Sequence, residues 1–123
     1  MVANKLWDKY DLVLADLDGV IYEGNRAIHR AIPSINALTS AGIRFGYVTN
    51  NSSRTQQAIA DQLNSFGLTV SASEVISSGK TAVELLAKRV PAGSKVYVVG
   101  GEGLRGFVSA AGFQLVSSSE DQP

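Results

Sequence analysis

The stretch Leu12-Val13-Leu14-Ala15-Asp16-Leu17-Asp18-Gly19 joins a short apolar segment to two carboxylates and a glycine. An apolar run of this length is typical of a β-strand buried on both faces of a parallel sheet. We therefore predict a strand over residues 12–17. Asp16 and Asp18 stand at its carboxyl end, and a spacing of two residues points both side chains to the same side of an extended chain.

A second strand with a polar end follows after one helix. We predict that helix over residues 33–41, with Pro33 as its first residue and Gly42 as its stop, and the strand over residues 43–48. The strand is followed by Thr49, Asn50 and Asn51. Because ligands of open α/β sheets bind at the carboxyl ends of the strands, we expect Asp16, Asp18 and Thr49 to converge in one crevice.

The rest of the chain continues to alternate helices and strands. Ser53 and Gln56 have capping-box spacing and predict that a helix begins there. Arg54 either serves a phosphate or simply begins this exposed helix, and we favour the second interpretation. We predict further helices over residues 78–89 and 104–111, and strands over residues 74–77, 95–100 and 113–116. Residues 20–32 have no helical pattern and predict a strand extension followed by a loop. This order implies an α/β fold with a mainly parallel sheet.

Composition excludes several classes of protein. The chain has 123 residues, which predicts one domain, and its 11 Lys and Arg balance 11 Asp and Glu. The lack of a basic excess disfavours nucleic-acid or membrane-surface binding, and the absence of cysteine excludes disulfides and thiolate metal sites. No apolar run is long enough to cross a bilayer. We expect a soluble cytoplasmic protein, with its single histidine, His29, solvated in a loop.

The residue types at the strand ends suit phosphoryl chemistry. An aspartate can attack phosphorus to form an aspartyl-phosphate, and a second carboxyl can protonate the leaving oxygen and then activate water. Two neighbouring carboxylates also favour a hard cation such as Mg²⁺. The alternative is that Asp-x-Asp-Gly only ends a strand in a turn and that Thr49 to Ser53 only cap a helix. Two polar clusters on consecutive strands favour the functional interpretation.

The two clusters resemble motifs of the haloacid dehalogenase (HAD) superfamily. Residues 16–24 (DLDGVIYEG) look like its first motif, and residues 49–54 (TNNSSR) resemble its second. The residues of both motifs are similar to those of the large-cap (type IIA) subclass of phosphatases, which includes p-nitrophenylphosphatase-like, phosphoglycolate phosphatase-like and nucleotidase-like enzymes. The resemblance covers about residues 11–116.

The resemblance implies a role for each matched residue. Asp16 would be the nucleophile and a Mg²⁺ ligand, and Asp18 would be the general acid and base and a second Mg²⁺ ligand through its backbone carbonyl. Thr49 and the backbone of Asn50 would bind the phosphoryl group, with Asn51 close by. The implied activity is Mg²⁺-dependent hydrolysis of a small phosphorylated metabolite on a three-layer Rossmann-like sheet.

The resemblance also implies that residues 1–123 are the N-terminal part of such a core. The cap and the C-terminal half of the core are missing: Lys80, Lys88 and Lys95 do not stand in the context of the third motif, and Glu120-Asp121 do not resemble the acidic fourth motif. We therefore expect little hydrolysis from the chain alone.

Two rival functions stay open. Residues 101–106 match G-x-G-x-x-G after a strand and at the start of a helix, which is the pattern of a dinucleotide-binding turn. The predicted helix is short for such a unit, and Glu102 would place a negative charge beside a pyrophosphate. A non-catalytic phosphate-binding module is the other rival.

The family fold also implies a consequence for sheet edges. There the strand of Asp16 is central, with the strands of Val48 and Val99 on one side of it in that order. In this chain the strand over residues 12–17 should be an edge, although it is patterned for burial. We expect it to pair with another chain, as a homodimer or with the missing C-terminal half.

Overall fold

A computed structural model describes residues 5–121 as an α/β structure. The strands in this part of the chain are β1 Leu12–Asp16, β2 Tyr22–Glu23, β3 Arg26–Ala27, β4 Arg44–Thr49, β5 Val75–Ser77, β6 Lys95–Tyr97 and β7 Gln114–Val116. The α-helices are α1 Ala31–Ser40, α2 Gln56–Ser65, α3 Ser78–Ala87 and α4 Glu102–Ala110. Every predicted helix and strand is therefore present, with shifted ends.

The strands form one central parallel sheet and two smaller sheets. The central sheet has the order β1-β4-β5, β6 pairs with β7 in parallel, and β2 and β3 form an antiparallel hairpin. The predicted parallel α/β fold and the edge position of β1 are confirmed. The prediction that the strand of Val99 lies next to β4 was wrong. Strand β5 lies there instead, with Val75 and Ser77 buried, and β6 pairs with β7.

Apolar side chains fill two separate cores. The first lies between the central sheet, α1 and α2, and consists of Leu17, Ile21, Tyr22, Ile35, Phe45, Tyr47, Ile59, Ala60, Leu63, Leu68, Val70 and Val75. The second, formed around α3, α4 and the β6–β7 sheet, consists of Val83, Val98, Val108 and Phe113.

The opposite face of the central sheet is apolar but more open. Leu14, Gly46 and Ile76 lie side by side on it, since a Cβ on Gly46 would be 2.8 Å from Leu14 Cδ2 and 3.6 Å from Ile76 Cδ1. Leu14 is 59% exposed and Ile76 is 43% exposed. The burial pattern of β1 is thus one-sided, whereas its sequence predicted burial on both faces.

The element ends differ from prediction where side-chain contacts decide them. Helix α1 begins at Ala31, so Pro33 is its third residue, which still needs no N–H partner within the first turn. Thr55, not Ser53, caps α2, since its side chain accepts a hydrogen bond from Ala58 N. Strand β6 ends at Tyr97, and Val99, predicted to lie in it, is 84% exposed.

Two further differences concern loops and helix length. Residues 20–32 contain the hairpin of β2 and β3 rather than a strand extension and a loop. Helix α3 ends at Ala87, two residues before the predicted end, and α4 begins at Glu102, two residues early. None of the helices in residues 5–121 has the length and apolar character needed to cross a bilayer.

Candidate active site

The site lies where β1 and β4 end. The two strands are parallel, with Asp16 opposite Val48, and Thr49 pairs with Ser77 on β5. Asp16 and Thr49 therefore stand at the same edge of the sheet, as the sequence predicted. Thr49 is 3% exposed, whereas the side chains of Asp16 and Asp18 are open to solvent. Carboxylates that solvent can reach stand beside a buried hydroxyl.

A tight turn holds Asp18 beyond the end of β1. The carbonyl of Leu17 accepts hydrogen bonds from Val20 N at 3.1 Å and Ile21 N at 2.9 Å, and Leu17 itself is fully buried. Gly19 has a φ of +78°, which favours glycine, and its N–H donates to Tyr22 O at 2.9 Å. The turn is thus anchored by a buried leucine, and its geometry places Asp18 at the surface.

The loop after β4 is shaped by its own side chains. Thr49 Oγ1 accepts a hydrogen bond from Asn51 N at 3.0 Å, and Asn51 Oδ1 accepts one from Ser53 N at 2.9 Å. Ser78 Oγ at the start of α3 donates to Asn50 O at 2.9 Å. Asn51 therefore has a structural role in this loop. Its predicted contact with a phosphoryl group stays a prediction.

Tyr22 and Arg54 also act on the site; the sequence suggested no role for Tyr22 and left a phosphate contact of Arg54 as the less favoured alternative. Burial raises the pKa of Tyr22, the charge of Asp18 raises it further, and the Arg54 guanidinium beside the hydroxyl lowers it, with Asp16 adding a smaller upward effect. The charges of both carboxylates and of one guanidinium thus act on this hydroxyl. The only available signal was that Tyr22 and Arg54 fall inside the two motif stretches.

Arg54 is held by helix α2 rather than being exposed as predicted. Its side chain is half-buried and donates hydrogen bonds to Gln62 Oε1 and, at 3.2 Å, to Ala58 O. Gln62 Nε2 in turn donates to Gly24 O at the tip of the β2–β3 hairpin, at 2.8 Å. The favoured interpretation, an exposed helix start, was wrong because the residue precedes α2 and folds back onto it. The alternative, that Arg54 serves a phosphate, stays a prediction.

Two cavities adjoin these residues. One of about 630 Å³ is lined by Gly19, Glu23, Arg26, Ala27, Ile28 and His29. His29 is exposed, as predicted, and the cavity opens beside the turn that carries Asp18. A smaller cavity of about 240 Å³ has Thr49, Asn50 and Ser77 in its wall. Neither of these two cavities is lined by Asp16 or Asp18, so the single crevice that joins both carboxylates to Thr49 stays a prediction.

The carboxylates of the site are few. Across residues 5–121, no three His, Cys, Asp or Glu side chains are grouped closely enough to hold a metal ion. Mg²⁺, however, commonly keeps several waters and takes only one or two carboxylates together with phosphate oxygens. The hard oxygen donors of Asp16 and Asp18 fit that pattern, although one Asp16 oxygen already accepts a hydrogen bond from Leu17 N at 2.9 Å.

Comparisons with known proteins agree with the motifs. A family model described as haloacid dehalogenase-like hydrolase matches residues 13–114. The acid sugar phosphatase of Staphylococcus saprophyticus is 39% identical over 106 residues, which are 86% of this chain and 40% of that protein. The D-glycerol 3-phosphate phosphatase of Mycobacterium tuberculosis is 34% identical over 115 residues, 94% of this chain and 32% of that protein.

A solved structure extends the agreement to the fold. A glycerol phosphate phosphatase from Mycobacterium tuberculosis, solved in complex with magnesium, superposes with a TM-score of 0.83 at 34% identity, over 94% of this chain and 35% of that one. The chain thus spans between a third and two fifths of the length of these relatives. With the model matched over residues 13–114, the chain belongs to the haloacid dehalogenase-like hydrolases.

Proposed function

We propose that the chain carries the nucleophile and the phosphate-binding loop of a Mg²⁺-dependent phosphatase for small phosphorylated metabolites. The observation that carries this proposal is the register of β1 and β4, which sets Asp16 and Thr49 at the same end of the sheet, where both parallel strands finish. The relatives support it, since they include an acid sugar phosphatase and a D-glycerol 3-phosphate phosphatase.

The proposed reaction has two steps. An Asp16 oxygen attacks phosphorus and the bond to the ester oxygen breaks, while Asp18 gives that leaving oxygen a proton. Asp18 then takes a proton from water, which attacks the aspartyl-phosphate and releases phosphate. Asp18 suits this role because it lies outside the strand, on an exposed turn that allows a water to approach. After the second step Asp16 is again a free carboxylate and Asp18 is again protonated.

Thr49 and Asn50 are proposed to orient the phosphoryl group. A hydroxyl that accepts a hydrogen bond, as Thr49 Oγ1 does from Asn51 N, can still donate its own proton to a phosphoryl oxygen. Ser78 holds the carbonyl of Asn50, which fixes the peptide between Asn50 and Asn51, whose N–H donates to Thr49 Oγ1. Both contacts position donors before a ligand arrives, so less ordering is needed on binding.

Asp16 and the backbone carbonyl of Asp18 would hold Mg²⁺. The bound ion would neutralise charge on the phosphoryl group and keep the Asp16 nucleophile ionised, while the side-chain carboxyl of Asp18 stays free to carry the transferred proton. The relative solved with magnesium supports this choice of ion. With only these two protein ligands, we propose that residues 5–121 bind Mg²⁺ weakly and hydrolyse little substrate by themselves.

A dinucleotide-binding or other non-catalytic phosphate module is the alternative. A dinucleotide site would need free amides at the N-terminus of α4, where G-x-G-x-x-G lies. There Gly103 N instead donates to Ser53 O at 3.2 Å, and the side chain of Glu102 adds a negative charge. The contacts therefore favour the phosphatase over the dinucleotide module.

A chimaeric enzyme tests the catalytic proposal. Residues 11–116 would replace the matching segment of the Mycobacterium tuberculosis glycerol phosphate phosphatase, and hydrolysis of p-nitrophenyl phosphate would be measured with Mg²⁺. Asp16→Asn should abolish turnover, because an amide is a poor nucleophile. Asp11→Asn, at the exposed opposite end of β1, is the matched control and should leave turnover unchanged. Retained turnover in Asp16→Asn would remove the aspartyl-phosphate mechanism.

We also propose that the open edge of β1 pairs with another strand. Unpaired backbone groups on an apolar edge strand favour such pairing, and Leu12 and Leu14 are 47% and 59% exposed along β1. A second copy of the chain is one partner, and the C-terminal half of a family core is the other. Light scattering after size-exclusion chromatography decides whether the chain alone forms dimers.

A further inference from the structure

The glycines of residues 101–106 match a dinucleotide-binding pattern, but the structure indicates a steric reason for one of them that involves no nucleotide. We propose that Gly103 is a positioning residue, which lets the start of α4 lie directly against the backbone of Ser53 and so holds the loop from Thr49 to Arg54 in its shape. The importance of that shape for phosphate rests on the proposed function. The close contact itself does not.

The steric argument rests on which atoms a side chain would meet. A Cβ on Gly103 would lie 2.4 Å from both Ser53 C and Ser53 O, and 2.7 Å from Arg54 N. These are backbone atoms, so no rotamer change relieves the overlap. A Cβ on Gly101 would meet Ser53 Cβ at 3.2 Å, and one on Gly106 would meet nothing within 4 Å. The three glycines of the motif therefore differ sharply in tolerance.

A chain of hydrogen bonds connects this contact to the site. Gly103 N donates to Ser53 O at 3.2 Å, Ser53 N donates to Asn51 Oδ1 at 2.9 Å, and Asn51 N donates to Thr49 Oγ1 at 3.0 Å. Moving Ser53 away from α4 would strain each of these bonds in turn. The hydroxyl proposed to bind phosphate is thus linked to α4 through three contacts.

The start of α3 supports the same loop from a second side. Gly79 is buried, and a Cβ there would lie 3.1 Å from Ser52 Cβ and 3.2 Å from Phe107 Cδ2 on α4. Ser78 Oγ holds Asn50 O nearby. Helices α3 and α4 belong to the second core, which holds none of the residues proposed for the chemistry. The second core therefore serves to hold the phosphate loop in place.

Two alanine substitutions in one helix test the inference. In Gly103→Ala we expect altered ¹⁵N–¹H shifts for the amides of Asn51 and Ser53 without any ligand. In the presence of Mg²⁺, we expect this variant to bind inorganic phosphate at least roughly tenfold more weakly than the unaltered chain. Gly106→Ala is the matched control, because its side chain meets open space and alanine favours a helix. It should leave the loop shifts and the phosphate affinity unchanged.

A double-mutant cycle separates positioning from general loss of stability. Ser53→Gly removes the Cβ that Gly101→Ala would meet, together with the hydroxyl that donates to Asn51 Oδ1. Adding Gly101→Ala to Ser53→Gly should therefore shift the loop amides no further than Ser53→Gly does alone, which counts as rescue. It should not rescue Gly103→Ala, whose overlap is with the Ser53 backbone. The Gly101 arm also keeps the test decisive if Gly103→Ala does not fold.

The outcomes are distinct. Unchanged loop shifts and phosphate affinity in Gly103→Ala, rescue of that variant by Ser53→Gly, or no rescue of Gly101→Ala would each overturn the inference. If Gly103→Ala alters the loop while the unaltered chain binds neither phosphate nor Mg²⁺, the positioning contact stands and the proposed function falls.

Discussion

Replacing Thr49 by valine separates the hydroxyl of this residue from its shape. Thr49 is 3% exposed, and its Oγ1 accepts a hydrogen bond from Asn51 N at 3.0 Å. Thr49→Val keeps the branched side chain and exchanges the hydroxyl for a methyl group. A buried donor left without a partner costs about 1–3 kcal/mol. Because Asn51 is only half-buried, water can reach its N–H, and we expect the lower end of that range.

The expected loss of stability is small and measurable. A decrease of about 1 kcal/mol in the free energy of unfolding corresponds to a Tm lower by about 4 °C for a domain of this size. Thr49→Ser is the matched control, since it keeps the hydroxyl and removes one buried methyl, at a similar cost of about 1 kcal/mol. The two variants should therefore melt at similar temperatures by circular dichroism.

Phosphate binding should distinguish the two variants. A hydrogen bond to a charged group contributes about 1.5–3 kcal/mol, so Thr49→Val should bind inorganic phosphate roughly 10- to 100-fold more weakly in the presence of Mg²⁺. Thr49→Ser should stay within roughly threefold of the unaltered chain. The assay is an NMR titration followed at the loop amides. Equal phosphate affinity in Thr49→Val and the unaltered chain would refute the role of the hydroxyl, and so would an equal loss in both variants.

Three other expectations concern pH, the hairpin and the sheet edge. Burial raises the pKa of Tyr47 to about 12. This pKa lies above the ordinary tyrosine value of about 10, because the folded chain favours the neutral phenol. The resulting contribution to the free energy of unfolding is complete below about pH 10 and is lost as the pH rises through 12, by up to about 3 kcal/mol. Urea unfolding between pH 9 and 12 should show this loss, and Tyr47→Phe should remove most of it; an identical profile contradicts the assignment. Gln62→Ala removes the 2.8 Å bond to Gly24 O and should speed hydrogen exchange in the β2–β3 hairpin but not in β4. Gln57→Ala is the control, because the side chain of Gln57 donates its hydrogen bond to Asp61 within α2. If Gln62→Ala speeds hydrogen exchange equally in the hairpin and in β4, the effect is not local. Leu14→Lys should reduce self-association by light scattering without lowering Tm, because Leu14 is 59% exposed. A monomeric unaltered chain would argue against pairing at this edge.

The spacing of apolar residues predicted the helices and strands well, because the residues that face the core recur at the period of the helix or strand that carries them. Strands β1 and β4 and helix α2 were found within three residues of their ends, since each places apolar side chains against the first core. The ends of α4 also lay within two residues of prediction, but the contact at its start was not predicted, because it joins Gly103 and Ser53, two residues 50 positions apart. No local pattern carries such a contact.

The amino-acid sequence alone determined the order of the elements, the family and the polar ends of two neighbouring strands. These follow from local properties: apolar spacing, turn residues, and carboxylates placed directly after a strand. The placement of Tyr22 and Arg54 among those carboxylates depended on tertiary structure, because a hairpin, a loop and α2 must meet to bring them there. The same is true of the three glycines at the start of α4. Their tolerance is set by how closely Ser53 approaches, which is through its backbone at Gly103, through its Cβ at Gly101 and not within 4 Å at Gly106, and only the folded chain defines these distances.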